Sequence, residues 1–449
     1  MITIEPNIFK AYDIRGKVGT ELTGDVARLV GSALAEWLPN AGTVAVGRDM
    51  RPDSAELAAA VIEGLVQQGR DVLDIGQVTS DMIYFAVGHN NLAGGAMVTA
   101  SHNPGADNGI KLCREEARPI GIETGLAEVR DAAIKGEFIP AAVEGTVTQQ
   151  HLTDEWITHA LSFVDASSWP AYKVAIDAGN GMAGAIIPSL EPKTPLEVTR
   201  MYFDLDGTFP NHIANPLIPE NLVDLQAKIK ETGSDFGVAF DGDGDRAVVV
   251  DENGVALSGT TMTAILAEYF LSKNPGATIL YNAICGRVVP ETVAAHGGQS
   301  HRTKVGHSFI KADMRTYDAV FAGEHSGHYY FKDNFFADSG LIAALVAIQV
   351  LSLSGVKMSQ LAEKYRTAYV AISETNFEVN DKESVLERLR VRFQEAKQDD
   401  LDGLTVNFEN SWFNVRASNT EPVIRLNAEA TTQTELNHLV DQVTSIINN

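Results

Sequence analysis

Thr43-Val44-Ala45-Val46-Gly47 is a short apolar run of β character, and Pro52-Asp53-Ser54 just beyond it offers a helix start. Leu57, Val61 and Leu65 then recur at helical spacing, Gly69 closes the helix, and Asp71-Val72-Leu73-Asp74-Ile75 reads as the next strand. Strand, helix and strand in that order make a βαβ unit, which implies a mostly parallel sheet. The phrase recurs. Val174-Ala175-Ile176-Asp177 leads into Ala178-Gly179-Asn180-Gly181, and Ala277-Thr278-Ile279-Leu280 leads into Tyr281-Asn282-Ala283-Ile284-Cys285-Gly286. The recurrence predicts three related α/β domains with mixed, mostly parallel sheets.

The C-terminal stretch has a different pattern. Trp412-Phe413-Asn414-Val415-Arg416 and Val423-Ile424-Arg425-Leu426-Asn427 read as paired strands around a loop. Leu436, Leu439, Val440, Val443 and Ile447 then share one helical face, so a C-terminal α+β domain completes the chain. The expected divisions are 1–150, 151–254, 255–368 and 369–449.

Composition bounds the rest. At roughly 150 residues per domain, 449 residues predict about three domains, and 45% hydrophobic content supplies real cores. Disordered, collagenous and disulfide-scaffold classes are excluded. The balance of 35 Lys+Arg against 59 Asp+Glu gives a net charge of −24, which argues against a nucleic-acid or anionic-membrane partner. An anionic small substrate requires basic residues converging in one place. Cys113 and Cys285 stand in no metal-binding spacing and read as reduced, buried thiols. The start Met1-Ile2-Thr3-Ile4-Glu5-Pro6 lacks a basic signal region, and Leu341–Leu351 is too short to span a bilayer and is interrupted by Gln349. The expectation is a cytoplasmic chain with a buried helix there. The residues carry no signal of oligomeric state.

The sharpest chemical signal is Asp241-Gly242-Asp243-Gly244-Asp245-Arg246, between Phe236-Gly237-Val238-Ala239-Phe240 and Ala247-Val248-Val249-Val250. Carboxylates at alternate positions separated by glycines can turn their oxygens toward one point, where repulsion is costly without a hard divalent cation. An EF-hand reading fails because its sixth position is Arg246 rather than glycine and a strand follows. With few protein ligands, Mg²⁺ sharing a phosphate is the better fit.

Thr99-Ala100-Ser101-His102-Asn103-Pro104 follows Gly94-Gly95-Ala96-Met97-Val98. Alone, Ser101 is an ordinary turn or cap residue, and Ser101 and His102 make no triad because neighbouring side chains tend to diverge. Gly323-Glu324-His325-Ser326-Gly327-His328 gathers a carboxylate, a hydroxyl and imidazoles between glycines. Arg416-Ala417-Ser418-Asn419-Thr420-Glu421-Pro422, with Arg425 beyond, can surround a phosphate.

Together these segments resemble the α-D-phosphohexomutase superfamily, closest to its phosphomannomutase/phosphoglucomutase branch. Phe9-Lys10-Ala11-Tyr12-Asp13-Ile14-Arg15-Gly16, Gly47-Arg48-Asp49-Met50-Arg51-Pro52, Asn108-Gly109-Ile110-Lys111, Asn215–Leu222 and Thr303-Lys304-Val305-Gly306-His307-Ser308 carry the resemblance across the chain. It implies four domains around a central cleft. They carry in turn a phosphoserine loop, a metal loop, a sugar loop and a phosphate loop. Ser101 would be the phosphoserine, and Asp241, Asp243 and Asp245 with its phosphate would hold Mg²⁺. Arg246 and Lys111 would flank the transferring group. Glu324 and Ser326 would hold sugar hydroxyls, and Arg416, Ser418, Asn419 and Thr420 the phosphate that does not react. Lys10, Tyr12 and Arg425 would also contact the phosphosugar.

The implied reaction interconverts a hexose 6-phosphate and its 1-phosphate, of mannose or glucose, through a hexose 1,6-bisphosphate that also serves as activator. Phosphoglucosamine mutase is the alternative within the family, and a metal-dependent sugar phosphatase the alternative outside it. Lys111, His307 and His328 are candidate bases, with Arg15 and His102 as helpers. Lys111 is favoured on the expectation that surrounding cations lower its pKa. Thr79-Ser80 lacks the proline the resemblance leads one to expect, a departure read as affecting a turn only.

Overall fold

The structure is a computed structural model that describes residues 3–417 and 423–448. It forms two compact units, Met1–Leu257 with Ser326–Ser359, and Ser258–His325 with Gln360–Asn449.

The first unit opens with a mixed sheet. Gly94–Val98, Val44–Arg48, Val72–Gln77 and Val147–Gln149 run parallel, as the βαβ phrase requires. Asp107–Arg114 pairs antiparallel with Gly94–Val98, and Ile14–Lys17 pairs antiparallel with Asp107–Arg114 at the sheet edge. The crossover helix is Ser54–Gln67, and it buries Leu57, Val61 and Leu65. A second sheet orders Ala247–Asp251, Phe236–Phe240, Lys173–Asp177 and Glu197–Met201, antiparallel only at the first pair. Helix Gly340–Ser354 is buried nearly all round, and the Ser339 hydroxyl caps it by accepting from the Ile342 N–H at 3.1 Å. Gln349, which interrupts the apolar run Leu341–Leu351, is satisfied: it accepts from the Trp169 indole at 3.0 Å and the Asp165 N–H at 2.7 Å.

In the second unit, Gln299–Thr303, Thr278–Asn282 and Phe321–Gly323 are parallel. The middle strand extends through Tyr281 and Asn282, two residues beyond its expected end at Leu280. An antiparallel sheet follows, with Ser411–Ala417 paired to Val423–Ala430 and helices Lys382–Arg392 and Gln433–Ile447 on its core. Leu436, Leu439, Val443 and Ile447 are buried, with Val440 at their margin. The fold is therefore α/β with mixed sheets and a C-terminal α+β region. Both cysteines are buried, and burial pushes the Cys285 thiol up to about 12. No single helix among the described residues is long and apolar enough to cross a membrane.

One buried acid makes stability depend on pH. Asp81, in helix Ser80–His89, accepts from the Ser339 hydroxyl at 2.6 Å and from Thr79 Oγ1, and burial pushes its carboxyl up to about 7. The folded protein holds this proton more tightly than the unfolded chain. Its favourable contribution is therefore complete below the unfolded carboxylate pKa and is lost as pH rises through about 7. Asp81→Asn is expected to raise urea stability more at pH 8.5 than at pH 5, because the loss begins above the unfolded carboxylate pKa and is complete only above about 7. An equal change at both pH values would refute this.

Candidate active site

The acidic loop forms where two strands end together. Phe236–Phe240 and Ala247–Asp251 pair with Phe240 opposite Ala247, and Asp241 to Arg246 turn between them. Gly244 has φ +76°, which side chains resist, and a Cβ on Gly242 would stand 2.5 Å from the Ser101 carbonyl oxygen. The glycines let this loop close against the serine loop. Asp241, Asp243 and Asp245 are all buried, and one oxygen from each lies within 4.8 Å of the others.

Ser101 follows strand Gly94–Val98 and has φ 51°. Its Oγ donates to Asp241 Oδ2 at 2.9 Å and lies 3.2 Å from His102 Nδ1. The divergence expected of adjacent side chains does not occur, because the left-handed backbone at Ser101 brings both toward the acidic loop. Arg51 holds the loop from behind. One of its terminal nitrogens donates to Pro104 O at 2.8 Å and Asp107 O at 2.7 Å, the other to Ser101 O at 3.0 Å and Asn103 O at 2.6 Å. Arg15 donates to the Ala100 carbonyl and, at 3.0 Å, to Asn103 Oδ1. Arg15 thus supports the serine loop, and its strand neighbour is Gly109.

Lys111 comes from strand Asp107–Arg114, and its Nζ lies 2.7 Å from both Asp243 Oδ2 and Asp245 Oδ2. Burial opposes the charged ammonium, but Asp243 and Asp245 hold its pKa well above the usual range. The expectation of a lowered pKa is corrected here: its nearest partners are carboxylates, not cations. Burial, with the charges of Asp245 and Asp243, pushes Asp241 well above the carboxylate range. Asp243, against the same burial, is held below that range by the Lys111 charge and by hydrogen bonds from Lys111 and Ser80.

Burial, then the charges of Arg246 and Arg15, hold His102 well below the ordinary imidazole value. Its Nδ1 lies 2.6 Å from an Arg246 terminal nitrogen. A guanidinium only donates, so Nδ1 accepts and the neutral ring carries its proton on Nε2. Arg246 Nε also stands 3.4 Å from Asp241 Oδ2. His328, bridged to Arg246 through the backbone, places Nδ1 2.9 Å from Asp338 Oδ2 and 3.7 Å from Asp245 Oδ1. A carboxylate at Nδ1 fixes the orientation of the ring. Nothing in the sequence near Asp338 marked it as His328's partner.

The donor set fits a hard cation. Among the described residues, Asp243 Oδ1 and Asp245 Oδ1 are buried oxygens without a hydrogen-bond partner. Buried acceptors in this state are costly, and a divalent ion meets them with the oxygen chemistry it prefers.

The remaining predicted residues are less closely gathered. Lys10 and Tyr12 are half-buried in the turn before strand Ile14–Lys17, and Ser326 is half-buried. In the second unit, His307 begins helix His307–Thr316, and buried Glu324 accepts from Asn282 Nδ2 at 3.0 Å. Arg416 and Arg425 converge on one carboxylate missed by the sequence reading. Glu374 lies 2.9 Å from Arg416 and 3.2 Å from Arg425, and Asn427 donates to it at 3.0 Å. Ser418, Asn419 and Thr420 lie outside the described residues.

This arrangement can be set beside known proteins. Four models of phosphoglucomutase/phosphomannomutase match in succession. They are alpha/beta/alpha domain I over residues 6–139, domain II over 154–254, domain III over 258–369 and the C-terminal domain over 374–446. A phosphomannomutase of Salmonella montevideo is 41% identical over 431 residues, covering 94% of this chain and 94% of that protein. A Xanthomonas campestris pv. campestris protein named "Phosphohexose mutases" is 41% identical over 425 residues, again covering 94% of each. The crystal structure of a phosphoglucomutase/phosphomannomutase family protein from Burkholderia thailandensis has a TM-score of 0.91 at 33% identity, over 99% of this chain and 97% of that one. With matches over every part of the chain, and a serine, an acidic trio and flanking cations gathered in its first unit, this protein belongs to the phosphoglucomutase/phosphomannomutase family of phosphosugar mutases.

Proposed function

We propose that the chain interconverts hexose 6-phosphates and hexose 1-phosphates, with mannose and glucose as its sugars, through phospho-Ser101 and a hexose 1,6-bisphosphate. The observation that carries this reading is the Ser101 hydroxyl held 2.9 Å from Asp241, within a buried acidic trio flanked by Lys111 and Arg246. The relatives named phosphomannomutase support the choice of sugar.

Asp241, Asp243 and Asp245 would hold Mg²⁺, which when bound neutralises charge on phosphoryl oxygens. Arg246 adds guanidinium donors to the same oxygens, and Lys111 keeps its proton as a further donor. The sugar hydroxyl attacks phosphorus, the new sugar O–P bond forms and the Ser101 O–P bond breaks, with Ser101 Oγ leaving as an alkoxide beside the carboxylates that would hold the cation. The hydroxyl proton passes to His328 Nε2, whose ring Asp338 orients through Nδ1 at 2.9 Å. In the second half, that Ser101 oxygen attacks the phosphorus of the other phosphate, the O–P bond between that phosphate and the sugar breaks, and His328 returns its proton to the departing sugar oxygen. Neutral His102 keeps Arg246 aligned. Glu324 and Ser326 are assigned to the sugar hydroxyls, and Arg416, Arg425, Ser418, Asn419 and Thr420 to the distal phosphate. Lys10 and Tyr12 join the substrate-binding set. The four stretches 1–150, 151–254, 255–368 and 369–449 each supply one of these loops.

A side-by-side assay with Mg²⁺ and glucose 1,6-bisphosphate tests the reading. Mannose 1-phosphate or glucose 1-phosphate is expected to show the highest kcat/KM. Preference for glucosamine 1-phosphate would overturn the branch assignment. Release of inorganic phosphate without 6-phosphate product would replace mutase by phosphatase.

A further inference from the structure

Residue 80 reaches the acidic loop from a distant part of the sequence. Ser80 opens helix Ser80–His89 and is 1% exposed. Its backbone N–H donates to the Asp243 carbonyl at 2.9 Å, and its hydroxyl donates to Asp243 Oδ2 across a sequence separation of 163. Lys111 Nζ lies 3.4 Å from the Ser80 oxygen and 2.7 Å from the same Asp243 Oδ2. One residue therefore grips Asp243 at its backbone and at its carboxylate. The turn-only expectation for Thr79-Ser80 is corrected by these contacts.

The grip has a consequence for the other carboxylate oxygen. With Oδ2 engaged by a hydroxyl and an ammonium, Asp243 cannot rotate freely, and Oδ1 stays buried without a hydrogen-bond partner. We infer that Ser80 is a positioning residue for the cation site, fixing the Asp243 carboxylate so that Oδ1 is reserved for the metal. This rests on the reading of the acidic loop as a Mg²⁺ site. Outer partners of this kind orient a ligand before the ion arrives, and their loss typically weakens metal affinity by about 10–100-fold.

The test is calorimetric titration of MgCl₂ into the full chain and its variants, with thermal melts in metal-free buffer. Ser80→Ala is expected to weaken Mg²⁺ binding by about 10-fold or more. Ser80→Thr, which keeps the hydroxyl, is expected to bind nearly as the parent does. Metal-free melts should show at most a modest loss for Ser80→Ala, from its missing hydrogen bond, and the deciding readout is the titration, which a merely structural role would leave at the parental affinity. Parental affinity in Ser80→Ala, or equal loss in the Ala and Thr variants, would overturn the role of the hydroxyl. No Mg²⁺ uptake by the parent itself would overturn the cation reading together with this one.

Discussion

Ser101→Ala is expected to abolish mutase turnover, by at least about three orders of magnitude, while the protein stays folded. The hydroxyl is the only atom removed, and losing its hydrogen bond to Asp241 costs on the order of 1 kcal/mol. The αL backbone at Ser101 remains as demanding for alanine as for serine. Labelling with radioactive bisphosphate should mark the parent on Ser101 and leave the variant blank. Turnover near the parental rate would remove Ser101 from the reaction altogether, whatever the family resemblance.

Lys111→Met should have the largest effect on stability. Its ammonium sits 2.7 Å from two buried carboxylates, and those charges keep it protonated despite burial. Removing one partner of a buried pair costs roughly 3–5 kcal/mol, because the charge left behind stays desolvated. In metal-free buffer the variant is expected to melt well below the parent. Mg²⁺ should then raise its Tm by more than it raises the parent's, since the ion supplies the missing positive charge. On the proposed role of Lys111 as a donor to the transferring group, activity should fall about 100-fold or more. Parental stability without metal would show that Lys111 is not the counter-charge of this loop.

Much of the architecture was legible along the chain. The βαβ phrase from Thr43 to Ile75 appears as parallel strands joined by helix Ser54–Gln67, because its apolar residues recur at the helical period. The alternation of Asp241, Asp243 and Asp245 with glycine announced a loop that gathers three buried carboxylates, since Gly242 removes a side chain where this loop meets the serine loop. Other parts of the site carried no such mark. Asp338 sits in a segment with no chemical motif and Thr79-Ser80 stood out only for a missing proline, yet Ser80 and Asp338 each act on a residue brought near only by folding. Glu374, the shared partner of Arg416 and Arg425, stood outside every motif read from the sequence. The meeting of Ser101 with His102 depends on one positive φ, which residue type alone does not specify.

Sequence by itself determined the α/β class, the membership of the family and the identity of the serine, the acids and the cations available for chemistry. These follow from local periodicity, turn residues and spacing. The tertiary structure decided which protons those groups keep. Lys111 remains an ammonium because two carboxylates face it, and His102 stays neutral because it is buried against Arg246. Protonation is governed by dehydration and by charges near in space, and neither quantity is a function of separation along the chain.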